Sequence, residues 1–211
     1  MFVTFEGIDG SGKSTQAQRL AETLRGEGRN VVATREPGGT ELGERIRDVL
    51  LGGAGMSPWA EAALFAAARA QLVDEVIQPA LREGADVVCD RYLDSSLAYQ
   101  GIARGLGVEH VLELNIHATR GLLPDRTFLV LLAPEDALAR GGAVPDRIER
   151  EGLELQAAVA DQLRREGGRG APLADPGRAV EKVCVRRPLG ERRAEETLCL
   201  QLLRKALEAH P

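Results

Sequence analysis

Apolar positions along the chain fall into two alternating textures. Short apolar runs rich in β-branched or aromatic residues occur at Phe2–Glu6 (FVTFE), Val31–Thr34, Asp86–Cys89, Thr127–Leu132 and Val180–Val185. Bounded by glycine or polar residues, they predict five strands. Between them, apolar residues recur three and four apart. Ala17, Leu20, Ala21 and Leu24 form one face of a helix predicted from Lys13 to about Gly28, with glycine at its end. Glu41–Leu51 reads as a helix stopped by Gly52 and Gly53. Pro58–Leu81 is the longest helical pattern; Pro58 suits a first turn, and Pro79 is expected to kink or restart the helix. Further helices are predicted over Leu93–Arg104, Val108–Arg120, Arg147–Arg165 and Arg192–Ala209, with another starting at Pro134–Ala139 and a loop over Gly167–Arg178.

Strands that alternate with helices predict a parallel sheet covered on both faces, because each parallel crossover needs about a dozen residues. The chain has 211 residues, the length of one domain, and no internal repeat divides it. No run of eighteen apolar residues exists, and Met1 leads directly into a strand. Neither a membrane span nor a signal peptide is expected, and the location expected is cytoplasmic. The net charge of −5 argues against nucleic acid as a partner. Cys89, Cys184 and Cys199 lack metal-ligand spacing and read as buried thiols. Lysine is scarce: only Lys13, Lys182 and Lys205 occur, so each must be read individually.

Lys13 stands in the segment Gly7-Ile8-Asp9-Gly10-Ser11-Gly12-Lys13-Ser14-Thr15, which satisfies G-x-x-x-x-G-K-[ST] between a predicted strand and a predicted helix. Glycines let successive backbone N–H groups converge on phosphate oxygens, and the following helix adds its positive end. In such a loop Lys13 reaches the β- and γ-phosphates of a nucleoside triphosphate and the Ser14 hydroxyl ligates Mg2+. Asp90 closes the apolar strand of Asp86–Cys89; at that end of a parallel sheet its carboxylate is placed to hold the same ion.

The loop alone does not distinguish switch, motor and kinase. No lysine here is followed by x-Asp, the element with which GTPases read guanine. A motor needs more chain to couple hydrolysis to work. A small chain suits transfer of the phosphoryl group to a second small molecule. Arg35 and Arg91, each following a predicted strand, are placed to hold an acceptor that is itself a phosphate monoester, guanidinium being the bidentate partner of phosphate.

Taken together, GIDGSGKST, TREPGGT, FAAARAQ (Phe65–Gln71), DRYLDSSLAYQG (Asp90–Gly101) and DRIE (Asp146–Glu149) resemble the thymidylate kinases, especially bacterial ones, from Phe2 to about Glu154. The resemblance implies ATP-dependent phosphorylation of dTMP to dTDP with Mg2+. It also implies a three-layer P-loop kinase fold with strand order 2-3-1-4-5, and a homodimer. By the same resemblance Phe65 stacks on thymine and Arg69 donates to its O4; the two are four apart on one helix and share a face. Asp9 accepts from the 3′-hydroxyl, Tyr99 closes the space beside C2′, and Ser95, Ser96 and Gln100 complete the base pocket. Arg35 and Arg91 hold the monophosphate.

A transition-state arginine is also expected. The loop itself offers none, so it is sought in a mobile lid at about 140–151 (RGGAVPDRIER, then Glu151), with Arg147 as first choice and Arg140 as second. Two departures stand out. Ala133 occupies a position where the family usually has Asp, and after about Leu155 the similarity fades, with Leu155 and Leu163 in place of aromatics. The alternatives are a kinase for dUMP or UMP, and a nucleotide-binding module without turnover.

Overall fold

Phe2 and Val3 are neighbours on one strand, both buried, and they belong to different cores. Phe2 packs with Leu72, Val87, Leu97 and Val111, whereas Val3 packs with Ala17, Leu20, Val88 and Phe128. Side chains alternate across a strand, so a strand apolar at successive positions needs cover on both faces. That requirement produces the three layers.

The computed structural model describes residues 1–53, 55–139, 147–148, 150, 152–167 and 181–186. Five parallel strands, β1 (Phe2–Glu6), β2 (Val31–Arg35), β3 (Asp86–Asp90), β4 (Arg126–Leu131) and β5 (Glu181–Arg186), lie in the order 2-3-1-4-5. β1 is central. It aligns Phe5 with Asp90 of β3 on one side and with Phe128 of β4 on the other. Arg35, at the end of β2, stands opposite Asp90. The carboxyl ends of β1, β2 and β3 therefore meet at one edge, which is where the site forms.

On one face lies α1 (Lys13–Gly26), whose Ala17, Leu20, Ala21 and Leu24 are buried as the spacing predicts. On the other lie α3 (Pro58–Leu72), α4 (Gln78–Arg82) and α6 (Val108–Thr119), with α2 (Glu41–Leu51) packed beside α3. Thr40 caps α2 by accepting the Gly43 N–H at 2.9 Å, and Ser57 caps α3 through Ala60. α5 (Leu93–Ser96), α7 (Pro134–Ala139) and α8 (Gly152–Gly167) complete the α-helices among the described residues.

Two predicted helices are broken by wider turns. Pro58–Leu81 divides into α3, a π turn at Val73–Ile77 and α4, in which the Gln78 N–H bonds to the Val73 carbonyl. A continuous α-helix would have pressed the Pro79 ring on the Glu75 carbonyl; the π turn shifts the register, and Pro79 falls in the first turn of α4. Leu93–Arg104 likewise becomes α5 followed by π-helical Leu97–Ala103, with the Arg104 N–H reaching the Tyr99 carbonyl at 2.9 Å. α8 starts at Gly152, not at Arg147. Its Leu155, Val159 and Leu163 pack on Ile8, Leu129 and Leu132, so the leucines that stand where the family has aromatics form core. The predicted helix at Arg192–Ala209 lies outside the described residues. Among the described residues no helix is long and apolar enough to cross a membrane.

Candidate active site

The loop from Gly7 to Gly12 connects β1 to α1 in a path that demands glycine. Gly10 has φ 76° and Gly12, capping α1, has φ 91°; both are left-handed values. A Cβ on Gly10 would also stand 2.3 Å from the Ala137 carbonyl oxygen. Lys13 opens α1, and its Nζ folds back to Asp9 Oδ1 (3.2 Å) and the Ile8 carbonyl (3.4 Å). Burial, then the Arg91 charge, lowers its pKa against the opposing pull of Asp9 and Asp90. Ser14 and Thr15 are exposed on the first turn, and Ser11 is buried beneath the loop.

Arg91 follows β3 with φ 71°, left-handed for a residue with a side chain. Such strain persists only where neighbours over-determine it. Here its N–H bonds to the Phe5 carbonyl (2.9 Å), and its carbonyl accepts from Cys89 Sγ (3.1 Å). The next N–H, of Tyr92, bonds to Glu6 Oε1 at 2.7 Å. Glu6 Oε2 accepts from Ser95 Oγ, which in turn accepts from Arg91 Nη1 at 2.9 Å. Arg91 Nη2 donates to Asp9 Oδ1 at 2.5 Å, and the guanidinium lies 5.4 Å from the Tyr99 ring centre. Burial alone would raise the Asp9 pKa, but Arg91 and Lys13 hold it far below the usual carboxylate range. Glu6 behaves oppositely: burial and the Asp94 charge push it up to about 7, despite Ser95, Arg91 and the Tyr92 N–H.

These groups open on a cleft of about 190 Å³. Its lining includes Asp9, Lys13, Ser14, Asp90 and Arg91, together with Arg35, Phe65, Arg69, Ser95, Ser96, Tyr99 and Gln100. Tyr99 Oη bonds to Asp9 Oδ2 at 3.2 Å. Arg35 is half exposed and paired with Glu44 through two 3.0 Å bonds. Asp90 Oδ1 is buried with no hydrogen-bond partner.

Arg69 is placed on the cleft wall but is almost completely buried, at 1% exposure. Its Nε and Nη2 donate to Glu36 Oε2, Nη1 donates to Ser96 Oγ and Asn115 Oδ1, and Nη2 also donates to the Tyr92 carbonyl. These five bonds match the five N–H groups a guanidinium has. A base oxygen at Arg69 would have to share a donor with one of these acceptors.

The expected lid arginines fare differently. Arg140 lies outside the described residues. Arg147 does not line the cleft: its Nε donates to the Leu50 carbonyl (2.7 Å) and its Nη2 to Glu61 Oε2 (2.6 Å). Its neighbour Ile148 contributes to the cleft wall.

The sequence reading passed over Glu6, Glu36, Arg47 and Glu61. Glu6 carried a signal, a charge ending an apolar strand just before the glycine loop. Arg47 lines the cleft from α2 and is held by the Pro37 carbonyl at 2.8 Å; nothing in the sequence separates it from Arg45, which pairs with Glu41 on the exposed surface.

A profile of the family described as thymidylate kinase matches residues 5–167. Thymidylate kinase of Symbiobacterium thermophilum is 50% identical over 189 residues, spanning 87% of this chain and 88% of that protein. That of Pelotomaculum thermopropionicum is 46% identical over 212 residues, covering 98% and 93%. A crystal structure of thymidylate kinase from Ehrlichia chaffeensis superposes with a TM-score of 0.76 at 29% identity, covering 98% of each chain. Sequence, strand order and loop geometry agree, and the chain belongs to the thymidylate kinase family.

Proposed function

We propose that the chain transfers the γ-phosphoryl group of ATP to the phosphate of dTMP, giving dTDP and ADP. The observation that carries this reading is one cleft lined by both phosphate-binding-loop residues and by arginines and an aromatic ring, at one sheet edge. The loop N–H groups and the positive end of α1 hold the ATP phosphates, and Lys13 leaves Asp9 to meet them. Arg91, fixed by the Glu6 and Ser95 brace, and Arg35 hold the acceptor's phosphate, so that one of its oxygens attacks in line. Phe65 stacks on the base, Arg69, Ser96 and Gln100 surround its edge, and Tyr99 and Asp9 flank the sugar.

Asp90 Oδ1, buried without a hydrogen-bond partner on the cleft that Ser14 also lines, suits a Mg2+ site completed by phosphate oxygens and water. That ion would supply charge stabilisation across the outer phosphates. Among the described residues no group of three or more His, Cys, Asp or Glu side chains is placed to hold a metal ion. The decisive experiment measures ADP release with ATP and each of dTMP, dUMP, UMP and dCMP in turn. Fast release with dTMP above the others is expected; ATP binding without release under any acceptor would leave only a nucleotide-binding module.

A homodimer completes the proposal. Leu42 and Val49, seven apart on α2, and Trp59 on α3 are large apolar side chains exposed at the surface. Sedimentation should give twice the chain mass, and Val49→Asp should shift it toward the single chain; a monomer at all concentrations would remove the dimer.

A further inference from the structure

Gln100 is buried at 1% exposure and lines the cleft. Its amide has two unlike ends, one donating and one accepting, and which end meets a ligand decides what is recognised. Gln100 Nε2 lies 2.9 Å from Glu61 Oε1. An ionised carboxylate only accepts, so this contact commits the nitrogen to Glu61 and leaves the carbonyl oxygen as the end that can turn to the cleft.

Glu61 is itself held firmly. It is 2% exposed on α3, one turn before Phe65, and accepts from Arg104 Nε (3.1 Å), Arg104 Nη2 (3.0 Å) and Arg147 Nη2 (2.6 Å). Burial alone would raise its pKa, but the bonds from Arg104, Gln100 and Arg147 hold it below the ordinary value. The carboxylate stays charged, and acceptor-only, at neutral pH.

We propose that Glu61 is a positioning residue for base choice: by holding Gln100 Nε2 it presents the Gln100 carbonyl oxygen to the acceptor's base. This rests on the reading that a pyrimidine monophosphate occupies the cleft. Thymine and uracil offer an N3–H donor beside the O4 acceptor; cytosine reverses both. A carbonyl oxygen fixed at the cleft wall pairs with the first pattern and opposes the second. Arg69, the other reader of this edge, already spends its five donors on protein groups, so the discrimination falls largely on Gln100.

The test is the ratio of kcat/KM for dTMP over dCMP in the full-length chain, its Glu61→Gln variant and its Gln100→Met variant. In Glu61→Gln the new amide can donate as well as accept, which frees Gln100 to rotate. The ratio should fall about tenfold, with the change in KM more than in kcat. Gln100→Met, which removes the amide at similar length, should lose the same discrimination, and the double variant should lose no more than either single one. A ratio within twofold of wild type, even with both rates depressed, would assign Glu61 to packing and overturn the inference. Should Glu61→Gln fail to fold, an unchanged ratio in Gln100→Met overturns it equally. A wild-type chain inactive on every pyrimidine monophosphate fails the proposed function itself; one selective for dTMP whose ratio ignores both substitutions fails only this inference.

Discussion

Single side chains in this cleft are constrained by partners remote in the chain. Arg69 meets Glu36, Ser96 and Asn115 at separations of 33, 27 and 46 residues, and no local pattern announces such a set. The FAAARAQ stretch therefore points to Arg69 as a cleft residue without revealing that its donors are already engaged. Arg147 is a similar case. Docked on Glu61 and the Leu50 carbonyl, it would have to break two bonds to reach the phosphates, whereas where it stands it supports the wall at Ile148. Arg147→Ala is accordingly expected to raise KM for dTMP severalfold while lowering kcat modestly, and Arg140→Ala to lower kcat on the order of a thousandfold, as loss of a transition-state arginine does. Steady-state kinetics of both variants decide, and the opposite assignment of the two effects would return Arg147 to the chemistry. For Tyr99, bonded to Asp9 and packed under Arg91, the ring is the expected barrier to a 2′-hydroxyl. Tyr99→Ala should raise activity on ribothymidine monophosphate relative to dTMP, and Tyr99→Phe should not; an unchanged ratio in the alanine variant would leave the ring a packing role.

At the scale of elements, legibility followed locality. The strands, α1 and the glycine loop were readable because spacing within a dozen residues determines them. The two π segments were not, because they resolve conflicts between local preference and packing. The one at Val73–Ile77 accommodates Pro79, and that at Leu97–Ala103 lies against Val108, whose Cα would sit 3.3 Å from a Cβ on Gly101. α2 illustrates how an element serves the site from a distance. Its N-terminus is fixed by the Thr40 side chain, and it carries Arg47 to the cleft. Thr40→Ala should cost about 1 kcal/mol of stability, or roughly 2–4 °C in Tm for a chain of this size. KM for dTMP should rise at most a few-fold, with kcat retained. A loss of Tm above roughly 10 °C would mean that Thr40 does more than cap α2.

For the molecule as a whole, stability should carry the signature of Glu6. A carboxyl whose pKa is raised on folding from an ordinary 4.5 to about 7 binds its proton more tightly in the folded state. Its favourable contribution is complete below about pH 4.5 and is lost as pH climbs through about 7. The groups around it (Arg91, Asp94, Arg69 and Cys89) remain in a Glu6→Gln variant, which removes this titration alone. The Tm of wild type minus that of Glu6→Gln should therefore be more positive at pH 5 than at pH 8. Asp9, held far below its usual range, titrates outside that window. Thermal unfolding at the two pH values checks this, and a pH-independent difference would refute it. The strand order has a further consequence, for the chain's birth rather than its chemistry. β1 is translated first, yet both of its neighbours come late: Phe2 pairs with Val87, and Val3 with Arg126. At about 5–20 residues per second, the central strand waits several seconds on the ribosome with both edges bare. A nascent chain halted before Arg126 should accordingly bind a holdase and be cleaved readily, while one extended past Leu131 should begin to resist protease.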